Sequence, residues 1–225
     1  ETHDTVLGIR NDKLVVACKD FCKSEGSLRE IRTLKNIYNK ELSEKLEETF
    51  SSTSSSHCID LEDMMVHLKY NPILKEIPDI QTRFWEQFIV DMLINNNDRN
   101  NGNWGVLMTA PMTYELAPVY DMGSSLFSKR SPSVAAHRLG DEEAEREDAF
   151  GTNVSCYRLP DGEGGSVAIH PFEYMAKTSN PDLTAAIKRF AAAVDMEAID
   201  GLIDSVPEEA YGVVLLSESM REEHK

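Results

Sequence analysis

The sequence predicts a mainly helical α+β domain, with a small β element set in after its central helix. Three observations point there. Residues 79–96, "DIQTRFWEQFIVDMLINN", form a strongly apolar segment with Phe84, Phe88, Met92 and Asn95 on one side and Trp85, Ile89 and Leu93 beside them, the spacing of a helix buried on most of its surface. Two short β-rich runs, "NWGVLM" and "MTYELAPVYDMG", follow at once and are joined by a turn at Pro111. The last quarter of the chain, from "HPFEYMAKT" through "NPDLTAAIKRFAAAV", "DMEAIDGLIDSVP" and "EEAYGVVLLSESMREEHK", reads as helices, with Pro181 in a first turn and Asn180 as its cap.

Upstream of the central helix, "TVLGIR" and "KLVVACKDF" flank Asn11-Asp12 and read as a β-hairpin. The stretch from Gly26 to Phe50 reads as one helix, capped by Ser27 with Glu30 closing a capping box and a stripe of Leu28, Ile31, Leu34, Ile37 and Tyr38. "SSTSSSH" is a low-complexity loop, and "IDLEDMMVHLKYN" a short helix capped by Asp60. Residues 124–165 carry glycine and charge clusters with no assignable period.

Length and charge bound the function. A chain of 225 residues with 41% hydrophobic content supports one domain, or one large domain with a small appendage. No run is long enough to span a membrane, and no signal peptide stands at the start, which begins abruptly without Met as if cut from something longer. The net charge of −16 argues against nucleic acid as a direct partner, since phosphate neutralisation needs clustered Lys and Arg. "DEEAERED", residues 141–148, reads as a solvated acidic face. Cys18, Cys22, Cys58 and Cys156 form no zinc-binding pattern and, scattered as they are, fit a reducing cytoplasm.

The chemistry concentrates in "NNNDRNNGNWG" and "YDMG". Phosphoryl transfer needs a carboxylate to orient or accept the proton of an attacking hydroxyl, and oxygen ligands for the Mg2+ on the nucleotide phosphates. Asp98 and Asn103 have the spacing of a catalytic Asp and the loop Asn that follows it, and Asp121-Met122-Gly123 supplies a second carboxylate after a hairpin-length connection. Gly123 would let the chain turn away behind the metal ligand. The same residues are also compatible with an Asx-turn at Asp98 and ordinary loop asparagines.

These segments resemble the C-terminal catalytic region of the HipA-like bacterial Ser/Thr kinases. That family carries an Asp-x-His-x-x-Asn loop followed by Leu-Ala-Pro-x-Tyr-Asp, and here the pieces are "DRNNGN" and "LAPVYD". The resemblance is good over 84–127 and looser over 170–225, where "HPFEYMAKTSNPDLTAAIKRF" is similar to the family's helical tail. The Asp-Arg form of the loop is shared with phosphoinositide kinases, distant relatives by fold. The resemblance implies a protein-kinase-like C-lobe with its N-lobe largely missing: residues 1–22 as a remnant hairpin and hinge, residues 23–225 as the helical C-lobe, with a catalytic loop at 95–105 and a metal-binding segment at 119–125.

It further implies ATP and Mg2+ as cofactors, Asp98 orienting the acceptor hydroxyl of a protein substrate, and Asn103 and Asp121 as metal ligands. The family's loop His is replaced by Asn100. Two readings of "LVVACKDF" stand side by side. In one, Lys19 is the strand lysine that pairs with nucleotide phosphates, and Glu30 is its partner. In the other, which the shortness of the preceding hairpin favours, Ala17, Cys18, Lys19, Asp20 and Phe21 form the hinge that meets the adenine edge. Arg99 pairs either with a phosphate or with a nearby carboxylate, and Tyr120 lies beside the cofactor. A non-catalytic alternative is a kinase-like module that binds an antitoxin or another regulatory protein. Trp85 and Phe88 belong to the core, Trp104 anchors the loop, and the serines at 124, 125, 128, 131 and 133 follow Asp121 where an activation segment would lie.

Overall fold

The centre of the fold is the apolar helix. In the computed structural model, which describes residues 2–22, 26–49, 58–150 and 156–224, this helix (α4) runs Ile80–Leu93. Phe84, Trp85 and Phe88 are buried, and their rings meet edge to face at 5.0 and 5.6 Å. Trp104, Tyr157 and Tyr174 extend the aromatic cluster. Each such ring removed from water contributes roughly 1.5–3 kcal/mol. Trp104 is buried among them.

The layers around α4 follow from which neighbours can bury against it. Helix α8 (Pro181–Ala193), capped by the side chain of Asn180, lays Leu183 and Ala186 on it. Before it come a hairpin of β1 (Thr5–Arg10) and β2 (Lys13–Cys18), strand β3 (Ser27–Glu30), short helices α1 (Ile31–Leu34) and α2 (Lys40–Glu47), β4 (Ile59–Asp60), and α3 (Leu61–Tyr70), capped by Asp60. After it come β5 (Gly105–Ala110) and β6 (Thr113–Leu116), then α5 (Pro132–Arg138), α6 (Glu142–Phe150), β7 (Tyr157–Pro160), β8 (Ser166–Ala168) and α7 (Pro171–Lys177). Helix α8 leads to α9 (Met196–Ser205), β9 (Glu209–Ala210), β10 (Val213–Val214) and α10 (Glu218–Glu223). Two three-stranded sheets, β3-β5-β6 and β4-β7-β8, flank the core. No helix of the described residues is long and apolar enough to cross a membrane.

The first hairpin forms as expected. Asn11 and Asp12 both have positive φ, 52° and 57°, the backbone of a two-residue turn whose twist matches its strands. The stretch read as one long helix from Gly26 does not form one. Ser27–Glu30 is a strand, paired antiparallel with β5 from Ser27↔Met108 to Glu30↔Gly105. Ser27 therefore caps nothing, and the capping role falls to Asn39, whose side chain accepts from the Leu42 N–H at the start of α2. The sheet wins because β5 offers a partner edge, and Gly105 lets it come close: a Cβ there would collide with the Arg29 carbonyl.

Residues 124–165, unassignable from pattern, hold α5, α6, β7 and β8. The last segment, read as a helix, instead makes the β9–β10 hairpin around Tyr211 and Gly212, at φ 55° and 75°, and only then α10, capped by Ser217. The acidic stretch at 141–148 lies on α6 from Glu142 onward, its described charged side chains exposed. The low-complexity residues 51–57 lie outside the described residues.

One buried polar group gives the fold a pH dependence. His67 on α3 is fully buried, with Nε2 3.6 Å from Asp63 Oδ1, and Asp63 is engaged by the Lys35 ammonium. Burial first, and then the Lys35 charge, pull the His67 pKa down to about 3. The unfolded chain takes up this proton near pH 6.5; the folded chain refuses it until about pH 3. Stability from this group is therefore complete above pH 6.5 and is lost progressively as pH falls toward 3. Urea unfolding at pH 7, 6 and 5 should show a steeper loss in the parent than in His67→Phe, and equal slopes would contradict this origin.

Candidate active site

Helix α4 ends at Leu93, and Asn95, with φ 51°, turns the chain out of it, a left-handed position that asparagine tolerates. The asparagines that follow build the loop by bonding its backbone. The Asn96 side chain donates to Asp91 at 2.9 Å and accepts from the Asp98 N–H at 3.3 Å. Asn100 donates to Asp98 Oδ1 at 3.2 Å and accepts from the Gly102 N–H at 2.8 Å. Asn103 donates through Nδ2 to the Asp98 carbonyl at 2.7 Å and toward Asp98 Oδ2 at 3.5 Å. The crowd of short amides holds one exposed carboxylate, Asp98, in a fixed orientation. Asn100, standing where the HipA-like pattern has His, makes two of these contacts.

Beneath the loop lies a buried charge pair. Arg99 is 0% exposed and Asp91, on α4, 1%. Arg99 donates to Asp91 through Nε at 3.0 Å and through Nη2 at 3.1 Å, and Asp91 also accepts from the Tyr157 hydroxyl at 2.8 Å. Burial opposes the guanidinium charge, but Asp91 outweighs it and raises the Arg99 pKa above the ordinary value. Cys156, its thiol pushed up to about 12 by burial and by Asp91, stays protonated and donates to the Arg99 carbonyl at 3.2 Å. Of the two sequence readings of Arg99, the carboxylate is the partner. A side chain wholly covered by protein does not meet a bound nucleotide, so Arg99 leaves the set of cofactor contacts.

The second acidic segment returns to this loop through the β5–β6 hairpin. The Tyr120 carbonyl accepts from Arg99 Nη1 at 2.7 Å, and the same nitrogen donates to the Asn103 carbonyl. The Tyr120 hydroxyl donates to the Gly102 carbonyl at 3.2 Å, its phenol held protonated because burial pushes its pKa up. Asp121 follows, exposed, at φ 55°. The chain thus turns at the aspartate itself and not at Gly123, whose φ is not positive, a left-handed position that aspartate, like asparagine, tolerates.

The predicted hinge sits beside this segment. Phe21 packs on the Tyr120 ring with centroids 5.8 Å apart, and His3 donates its N–H to the Val119 carbonyl at 3.1 Å. Ala17, Cys18, Lys19 and Asp20 are exposed. Lys19 bonds Asp4 at 2.9 Å and Glu30 pairs with Arg32, so the Lys19–Glu30 pair of the alternative reading is not made.

The donor set suits Mg2+. Among the described residues no three or more His, Cys, Asp or Glu side chains gather as a metal cage, whereas Mg2+ needs only one or two protein oxygens beside phosphate and water. The Asn103 amide nitrogen faces Asp98, which leaves its carbonyl oxygen for a cation, and the Asp121 carboxylate is exposed. Sequence reasoning missed Asp91, Asn96, Cys156 and Tyr157. Only Asp91 left a signal, as a lone acid inside the apolar run "FIVDML".

No protein-family model matches the chain. It is 28% identical over 211 residues, 92% of its length, to the serine/threonine-protein kinase CtkA of Helicobacter pylori, and spans 59% of that protein. Its structure matches the crystal structure of that proinflammatory kinase with a TM-score of 0.80 at 26% identity, over 99% of this chain and 73% of the solved one. In sequence and in its mixed α/β fold, the chain is therefore kinase-like over nearly its whole length.

Proposed function

We propose that this chain carries the catalytic lobe of a HipA-like Ser/Thr protein kinase. Asp98 orients the acceptor hydroxyl of a protein substrate and accepts its proton. Asn103 and Asp121 hold Mg2+, which when bound with ATP would neutralise charge developing on the transferred phosphoryl group. The hinge residues Ala17, Cys18, Lys19, Asp20 and Phe21 border the nucleotide, with Tyr120 packed beneath Phe21. What supports this reading is the pair of Arg99 Nη1 bonds to the Asn103 and Tyr120 carbonyls, which tie the backbone of the loop to the backbone just before Asp121 although a hairpin separates them in sequence.

Residues 1–22 fit the remnant of an N-lobe. Val6 and Val16 on the β1–β2 ribbon are 68% and 59% exposed, and a two-stranded ribbon is marginal alone in water; further strands of a longer protein would cover them. The alternative is a catalytically incomplete module that binds a regulatory or antitoxin-type protein.

Calorimetric titration of the full-length protein with Mg-ATP separates the two. The kinase reading expects saturable, Mg2+-dependent binding that weakens about tenfold or more in Asp121→Asn. No binding by the parent, or equal binding by both proteins, would overturn it.

A further inference from the structure

We propose that Arg99 is the positioning residue of the site: its buried guanidinium ties the base-bearing loop to the metal-binding segment and sets their separation. This rests on the roles just given to Asn103 and Asp121. A buried Arg–Asp pair that served stability alone would need no particular geometry toward its surroundings, and apolar residues of similar volume often do as well. Here the third nitrogen is spent differently. Nη1 donates to two carbonyls, one belonging to Asn103 and the other to the residue immediately before Asp121. Those carbonyls lie at the two feet of the β5–β6 hairpin, a connection that carries a register irregularity between Met108 and Ala110.

The fork is itself anchored. Nε and Nη2 are fixed on Asp91, which sits on the rigid α4 and is held in turn by Tyr157 of β7 and by Asn96. A planar guanidinium with donors in fixed directions can bind a carboxylate and two carbonyls together, whereas a lysine ammonium at the end of a shorter reach cannot span them all. Losing the tie lets the two segments drift, and a displacement of ~1 Å in a reacting group costs about 100-fold in rate. Arg99 touches neither nucleotide nor acceptor, because none of it is exposed.

The test uses the full-length protein with Arg99→Lys and, because a lysine left in that site can unfold the domain, the apolar pair Arg99→Met with Asp91→Leu. Leu183→Ala, a core cavity on α8, serves as a control of reduced stability. Two readouts are taken: amide hydrogen exchange over residues 98–105 and 117–123, and phosphoryl transfer as a function of Mg2+ concentration. Both Arg99 variants should exchange faster in the two segments together while α8 stays protected. They should also lose about 100-fold in kcat, with the Mg2+ requirement raised about tenfold and the acceptor KM within roughly threefold of the parent. Leu183→Ala should loosen α8 and leave the Mg2+ requirement alone.

Unchanged exchange in the two segments, or an unchanged Mg2+ requirement in the Arg99 variants, would overturn the positioning role while the kinase reading stood. If the unsubstituted protein transfers no phosphate, the proposed function falls and the positioning role falls with it.

Discussion

Asp98→Ala should lower phosphoryl transfer by the full-length protein by about a thousandfold or more, with a melting temperature close to the parent's. The two halves of this expectation have separate physical origins. The carboxylate is exposed, so removing it leaves no buried charge and opens no cavity; the loss is confined to its contacts with the Asn100 and Asn103 amides, worth about 1 kcal/mol. The rate loss arises because no neighbour can replace the group. Asn100 and Asn103 donate hydrogen bonds but accept no proton, and Asp91 is buried and committed to Arg99. Single-turnover transfer beside a thermal melt checks both halves. A variant that transferred at the parent's rate would remove Asp98 from the role of base, and a collapse in stability would recast it as a structural turn-former.

The second large effect is on stability. Asp91→Ala strips a fully buried guanidinium of its counterion and also frees the Tyr157 hydroxyl and the Asn96 amide. Breaking one side of a buried ion pair costs about 3–5 kcal/mol, because the remaining charge can neither leave nor find water. In a chain of this size that corresponds to a fall in melting temperature on the order of 10 °C. The Arg189–Glu86 pair, with side chains 48% and 41% exposed, is the natural comparison, since an exposed pair contributes about 0–1 kcal/mol. Differential scanning calorimetry of Asp91→Ala and Glu86→Ala should therefore separate clearly, and an equal shift in both would show that the buried pair is not a keystone of the fold.

The candidate site residues came from the sequence itself. The D-x4-N loop and the Asp-Met-Gly segment could be picked out because phosphoryl transfer uses few residue types at constrained spacings, and the resemblance to HipA-like kinases rests on those same pieces. The role of the asparagines was less readable. Asn96 bonds Asp91, while Asn100 and Asn103 both bond Asp98, and sequence alone offers no means of telling such amides from solvent-facing loop residues. The fate of Arg99 was open for a related reason: a guanidinium suits a phosphate and a carboxylate equally well, and burial alone decides between them.

The chain's own chemistry determined the elements whose cause is local. Apolar periodicity made α4, Asn11-Asp12 made the first turn, and Asn180-Pro181 started α8. Tertiary structure decided the rest, because the deciding partner lay far away in sequence. Ser27–Glu30 became a strand because the edge of β5, with Gly105 allowing close approach, satisfied its backbone better than a helix would have. Asp91, Arg99 and Tyr157 became one network because packing around α4 buried all three and set the Arg99 guanidinium and the Tyr157 hydroxyl against the Asp91 carboxylate.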